Sequence, residues 1–351
     1  MDKRELLSQL KQHGAVYQAD LAGADLRGLR FQKASFVDCD MAGVRLAGAV
    51  LPKAVFHKCN LSQADLKGSD LRSSTMHQCV MESADFASAQ LYRLTIAKSR
   101  LQQAIFERTQ FKRGVLLKND LLQASFRWSY LNKTIFADCV MEGVDLRETN
   151  LQRTILRKAD LTDCQIEKAV FFKTVLMGVK LTGKKLAGMA FPLCQMMGAD
   201  LTGADLSQAD LTGAGINNAN LAGANLSGVK AEHVKFNGSD LAGASLTGAM
   251  LSKAIMHNAV LVGCDFSESR MDLAQMAGAK CMEASFRDAS LPFSDFSHAD
   301  LTQADFSGAD ISRAKFHAVD SSGAIWDGVN DAGATGDDLD LLEAEQWQPQ
   351  V

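Results

Sequence analysis

The sequence predicts an all-β solenoid, and three observations predict it. A large apolar side chain recurs at every fifth position, a small one recurs two residues before it, and the phase runs from Val16 to Trp326 without an insertion or deletion. Of the 63 positions in the large set, 60 are Leu, Phe, Met, Ile, Val or Trp, with Ala231, Cys281 and Ser321 as exceptions. The small set is Ala, Cys, Ser, Thr, Val or Gly in 57 of 62 cases, broken by Leu29, Leu94, Asn119, Lys184 and Met189. An α-helix returns a residue to the same face after 3.6 positions and a strand after 2. A strict step of five therefore sprays large residues around a helix. The chain must instead turn by a constant angle every five residues, and successive coils then satisfy each other's backbone groups.

Asp or Asn often stands between the small and large residues, as in Ala204-Asp205-Leu206 and Ala224-Asn225-Leu226, and Gly follows two residues after the large one at Gly23, Gly28, Gly203 and Gly223. This pattern resembles the pentapeptide-repeat family over roughly residues 15–326. The resemblance implies a right-handed, four-sided β-helix with four pentapeptides in each 20-residue coil and about 15 coils. At about 4.8 Å between neighbouring strands, that is a rod roughly 70–75 Å long.

The elements follow in order. Residues 1–14 read as an N-terminal helical cap, with Leu6, Leu7 and Leu10 on one side of a short helix over 2–12. An open solenoid end exposes apolar side chains and unpaired edges, so capping is its expected job. Residues 15–326 form the solenoid, with a distortion expected near 184–193. There Lys184 falls in an inward position, and a buried unpaired charge is too costly to keep; a bulge is favoured over a bend. Residues 327–351 hold seven acids and no Lys or Arg, and read as an acidic tail that is either a small cap or a docking segment.

Composition narrows the class. With 47% apolar residues and a net charge of -4, wholesale disorder is excluded. No run approaches the roughly 20 apolar residues of a membrane span. The first residues have no apolar signal core, so a cytoplasmic bacterial protein is expected, with signal-peptide-independent export as the alternative. Seven cysteines (Cys39, Cys59, Cys79, Cys139, Cys164, Cys194 and Cys264) occupy the small position, and Cys281 replaces a large residue. They read as buried, reduced thiols rather than as a metal or disulfide framework. There is no phosphate loop, no H-E-x-x-H and no nucleophile elbow. The sequence thus predicts no enzyme, cofactor or metal site. His57 and His77 are expected to stack on the outside as a solvated ladder.

Function is sought on the outer surface. Residues 1–200 hold 29 basic and 20 acidic side chains, and residues 201–351 hold 8 and 21. At steps of twenty, Lys33, Lys53, Arg93, Arg113, Lys133, Arg153 and Lys173 line one edge, a candidate anion-binding strip, with Ser73 completing the series. A second ladder, Val115, Ile135, Ile155 and Val175, occupies the position usually given to Asp or Asn. Leu117 and Met177 lie on the same side and Phe172 at the neighbouring edge. Apolar patches of this kind mark interfaces, so these residues are candidates for binding another protein or a second copy. The expected function is a non-catalytic protein-binding or scaffold rod. The resemblance adds a secretion-associated adaptor or effector as one concrete form. It also implies an alternative, a DNA-mimic modulator of gyrase or topoisomerase; binding of a polyanion such as nucleic acid along the basic edge is the third reading.

Overall fold

The turn at every fifth residue has a local cause. After each large residue come two turn residues, and the second holds a left-handed φ, as at Gly23 (+64°), Lys53 (+59°) and Gln103 (+58°). The small residue that follows donates its N–H back to the carbonyl of the large residue: Ala24 to Leu21 at 3.1 Å, Ala49 to Leu46 at 2.9 Å, Ala204 to Leu201 at 3.0 Å. The next residue then pairs in parallel with the residue twenty positions on, as Asp25 does with Arg45 and Asp205 with Asn225. Four pentapeptides close one circuit, giving a right-handed β-solenoid.

This computed structural model describes Met1 and residues 3–347. Asp2 of the expected helix and residues 348–351 of the expected tail lie outside the described residues. The chain divides into two compact units, Met1–Val179 and Lys180–Val351. In the first, α1 (Lys3–His13) precedes eight three-residue strands, β1 (Ala15–Tyr17), β2 (Ser35–Val37), β3 (Val55–His57), β4 (Thr75–His77), β5 (Thr95–Ala97), β6 (Val115–Leu117), β7 (Ile135–Ala137) and β8 (Ile155–Arg157). They form one parallel sheet in sequence order. In the second unit the faces are built of single parallel bridges, and α2 (Leu339–Gln346) closes the described chain.

The interior of each unit is the pair of repeating slots. Phenylalanines stack coil upon coil: Phe86 on Phe106 at 4.7 Å and Phe106 on Phe126 at 4.8 Å in the first unit, Phe286 on Phe306 at 4.7 Å in the second. Such rings are buried completely, each contributing roughly 1.5–3 kcal/mol of transfer free energy. The oversized Leu94 is buried too, and its neighbour one coil on is Gly114. A Cβ there would sit 2.6 Å from the Phe111 ring and 3.1 Å from the Leu94 carbonyl oxygen, so Gly114 leaves the room that the Phe111 ring takes.

The frequent Asp has a structural job. Its Oδ1 accepts the turn N–H two residues on: Ala22 to Asp20 at 3.0 Å, Thr212 to Asp210 at 2.9 Å, Ser307 to Asp305 at 2.9 Å. The same bond from Ser207, together with its hydroxyl, holds the Asp205 carboxyl below the usual range.

The ends differ. Leu6 and Leu10 of α1 are buried against the first coil, and Gly14 ends the helix with φ +67° and an N–H bond to Leu10. In the second unit, paired backbone runs beyond the end of the sequence pattern, through Asp310–Asn330 and Lys315–Thr335. A last coil needs partners on one side only, so its backbone can pair although its inward positions, Ser321 and Asp331, no longer match. Trp326 stacks on Phe306 at 4.6 Å yet stays 36% exposed. The tail forms α2, with Asp338 as its N-cap, and leaves Leu339, Leu341 and Trp347 exposed. Lys184 is half-buried, and no bulge marks its turn: its N–H donates to Leu181 at 3.1 Å and its carbonyl accepts from Asp205 at 2.9 Å.

Candidate functional site

One face of the first unit is unlike the other three, and its backbone explains why. On the sheet face the residue in the small slot makes no turn bond back to the large residue. Its side chain supplies the hydrogen bonds instead. Cys59 Sγ donates to Phe36 O at 3.3 Å, Cys79 Sγ to Phe56 O at 3.4 Å and Cys139 Sγ to Leu116 O at 3.4 Å. Ser99 Oγ accepts the Cys79 N–H at 3.0 Å, and Asn119 accepts the Ser99 N–H at 3.0 Å while donating to Ile96 O at 2.9 Å. Thiol, hydroxyl and amide side chains in this column thus satisfy buried backbone groups. All eight cysteines are free; seven are buried and Cys139 is half-buried. Burial pushes the Cys264 thiol up to about 12 and raises Cys281 well above its ordinary value, so neither offers a thiolate.

Because this face has no turn N–H for an Asp to cap, its outward position is open to other residues, and strand formers fill it. Val115, Ile135 and Ile155 stand in register as strand partners, and Ile155 pairs with Val175. All four are half-buried, as are Leu117, Met177 and Phe172. Leu117 stands in register with Ala97 and Ala137. The ladder also continues toward the N-terminus as Val55, Thr75 and Thr95, without a charge. His57 and His77 stack on the same face, ring centroids 5.3 Å apart, with their Nδ1 atoms at 3.3 Å.

The cationic edge borders this face. Lys33, Lys53, Arg93, Arg113, Lys133, Arg153 and Lys173 are all exposed, and each is the second turn residue with a left-handed φ between 52° and 61°. Among the described residues none of them pairs with a carboxylate. Their turns contain no acid, and aromatic rings lie among them: Arg93 over Tyr92 at 5.2 Å, Lys112 over Tyr130 at 5.5 Å and Lys173 over Phe172 at 5.3 Å.

Sequence reading missed the opposite border. Lys58, Lys98, Lys118 and Lys158 follow the strands in the same left-handed turn position, also exposed and, among the described residues, without a carboxylate partner; Asp38 precedes the series, and Gln78 and Asp138 interrupt it. The signal was present in the sequence: they stand five residues after Lys53, Arg93, Arg113 and Arg153, one at each end of the same pentapeptide step. The resulting surface is a strip between two cationic columns, free of Lys, Arg, Asp and Glu from β3 to β7 and carrying the exposed Arg157 on β8. It has no nucleophile–base pair and no enclosed pocket. The first unit as a whole carries 26 basic and 19 acidic side chains, the second 11 and 22.

Comparison with known proteins follows the same lines. A family model described as a pentapeptide repeat region matches residues 17–86, and one described as pentapeptide repeats (8 copies) matches 124–163, 194–230, 232–268 and 279–317, together well over half of the chain. Among solved structures the chain is similar to HetL, a pentapeptide repeat protein involved in heterocyst differentiation regulation from the cyanobacterium Nostoc, at 24% identity over 83% of this chain and 98% of that one, TM-score 0.22. It is similar to QnrB1, a plasmid-mediated fluoroquinolone resistance protein, at 16% identity over 59% and 92%, TM-score 0.26. A pentapeptide repeat protein from the Arabidopsis thaliana thylakoid lumen matches at 34% identity over 25% and 65%, TM-score 0.19. No curated protein matches the sequence.

Proposed function

The chain belongs to the pentapeptide-repeat family, as a non-catalytic solenoid, and on that premise we propose that the sheet face of its first unit is the docking surface for an acidic protein partner. One observation carries the reading: eleven exposed cations without carboxylate partners among the described residues border a column of half-buried Val, Ile and Thr, Thr75 to Ile155, that holds no charged side chain. The geometry of the solenoid does not ask for those cations. Glycine holds a left-handed φ without the roughly 1–2 kcal/mol that other residues lose there, and it does so in many turns of the second unit. Like charges stacked one strand spacing apart also repel. Non-glycine residues take this φ in turns of other faces too, as at Gln63, Gln103 and Gln123, but on the borders of this face the residues that bear the cost are stacked cations.

The strip between the columns favours protein over nucleic acid. A duplex presents a continuous row of phosphates and has nothing apolar to lay along Val115, Ile135 and Ile155. An acidic protein surface with an apolar centre matches both features, with the cations steering approach and the strip excluding water. The test is capture from the native cells with the wild-type chain, with Ile135→Asp/Ile155→Asp, and with Arg113→Glu/Lys133→Glu. Circular dichroism checks that each variant keeps its fold. Acidic partners are expected with wild type and lost with both variants; partners retained equally by all three overturn the proposal. Labelled duplex and single-stranded DNA at low salt form the counter-test, since tight binding that falls steeply with salt would assign the face to nucleic acid.

A second reading, gyrase modulation by DNA mimicry, is supported by the acidic excess of the second unit, where Asp205, Asp240, Asp265 and Asp305 face outward. Supercoiling by purified gyrase with and without the full chain separates the two: an effect at stoichiometric protein favours mimicry, and none removes it.

A further inference from the structure

We propose that His298, His317 and Glu345 form a site for one divalent transition-metal ion of the zinc class, which pins α2 to the last coils of the second unit. The site is independent of the face described above. His298 Nε2 lies 3.2 Å from one Glu345 carboxylate oxygen and His317 Nε2 3.4 Å from the other, and the candidate ligand atoms all fall within 4.8 Å of one another. In a tetrahedral site with bonds of about 2.05 Å, neighbouring ligand atoms stand about 3.3 Å apart. Each imidazole already stands at about that distance from one oxygen of the carboxylate, so a small rotation of Glu345 brings a single oxygen into place.

The scaffold holds the two imidazoles in place. They sit in adjacent coils, and the His298 N–H donates to the His317 carbonyl at 2.8 Å, so coil pairing fixes their spacing. The rings meet edge to face, with centroids 5.3 Å apart. His317 is only 6% exposed, whereas His298 and Glu345 reach solvent. An open cleft of about 700 Å³, lined by His317, Lys315, Asp337, Asp338 and Leu341 among others, gives a hydrated ion a way in. Glu345 comes from α2 and the histidines from the coils, so an ion here would cross-link two elements with little other burial between them.

The donor set selects the class of ion. Two imidazoles and one carboxylate, with a fourth position open to water, suit Zn²⁺, Ni²⁺, Co²⁺ or Cu²⁺. Mg²⁺ and Ca²⁺ prefer oxygen ligands alone. The metal-free hydrogen bonds set the form of the exchange. The Asp338 N–H donates to His317 Nδ1 at 3.1 Å, so the imidazole hydrogen sits on Nε2 and points to Glu345. A metal at Nε2 takes the place of that hydrogen. The bound neutral ring then carries its hydrogen on Nδ1, and the Asp338 amide loses its acceptor. Loading therefore leaves a mark on one backbone amide.

The experiment uses the full chain, freed of metal with a chelator and kept reduced. Zinc chloride is titrated by calorimetry into wild type, Glu345→Gln, His298→Ala and His57→Ala, all at exposed or half-exposed positions. One site is expected in wild type and His57→Ala, weakened at least tenfold in Glu345→Gln and His298→Ala. In amide NMR spectra zinc should shift the Asp338 resonance in wild type and His57→Ala but not in Glu345→Gln or His298→Ala at the same zinc concentration, and in hydrogen exchange it should slow residues 339–346. Equal zinc affinity in all four proteins, zinc binding without a shift at Asp338, or magnesium binding as tight as zinc would each overturn the assignment.

Discussion

Lys133 tests the claim that the cationic edge is placed against the preference of the fold. Its φ is +61°, its turn N–H donates to Gln152 O at 3.2 Å, and it has no carboxylate partner among the described residues. Holding a non-glycine residue in the left-handed region costs about 1–2 kcal/mol. Replacing it by glycine removes that strain but returns about 0.5–1 kcal/mol through the greater freedom of the unfolded chain. Lys133→Gly should therefore be more stable than Lys133→Ala by about 0.5–1 kcal/mol, since both lose the charge and only glycine relieves the backbone. Relative to wild type, both gain a further increment from lost repulsion with Arg113 and Arg153, and that increment should shrink as salt rises. The assay is urea unfolding followed by circular dichroism at 50 mM and 500 mM salt, comparing midpoints at constant slope. Lys133→Gly equal to or less stable than Lys133→Ala would refute the backbone argument. An unchanged salt response would refute the electrostatic one. If both hold, a variant with glycine along the whole edge should be stabler than wild type and fail to bind the acidic partner.

Two further outcomes follow from the interior. Asn119→Ala removes an acceptor from the Ser99 N–H and a donor from the Ile96 carbonyl, and should cost about 2–4 kcal/mol in urea unfolding, because two buried backbone groups lose their partners; a loss below about 1 kcal/mol would mean that water replaces the side chain. The Cys264 thiol is pushed up by burial from an ordinary value of 9.0 to about 12, so the folded state keeps a proton that the unfolded state releases. Its contribution is complete below pH 9 and is lost as pH rises from 9 toward 12. Unfolding midpoints between pH 8 and 10.5 should fall more steeply in wild type than in Cys264→Ala; parallel slopes would contradict the burial.

Much of the fold was legible because every pentapeptide repeats the same local chemistry. Two inward slots and one turn recur, so the period, the inward residues and the pairing of residues twenty apart can all be read from one chain. The candidate face was legible only in part. Val115, Ile135, Ile155 and the first cationic column showed at steps of twenty. Lys58, Lys98, Lys118 and Lys158 lie on the same period, five residues after the first column, but two acids and a glutamine among them, Asp38, Gln78 and Asp138, dilute that column in the sequence.

The sequence by itself determined the coil, because a side chain's inward or outward position follows from its phase alone. Tertiary structure decided that one face of the first unit lacks the regular turn bond. Seen in sequence, Cys39, Cys59 and Cys79 are small fillers and Asn119 is an exception. In the folded chain thiols and Asn119 alike donate to carbonyls of the coil before, carbonyls that on this face receive no turn N–H. Tertiary structure also brought Glu345 to His298 and His317, through a helix outside the repeat. Phase governs what the repeat contains; hydrogen bonds left open by one coil, and a segment folded back on another, depend on neighbours that no period specifies.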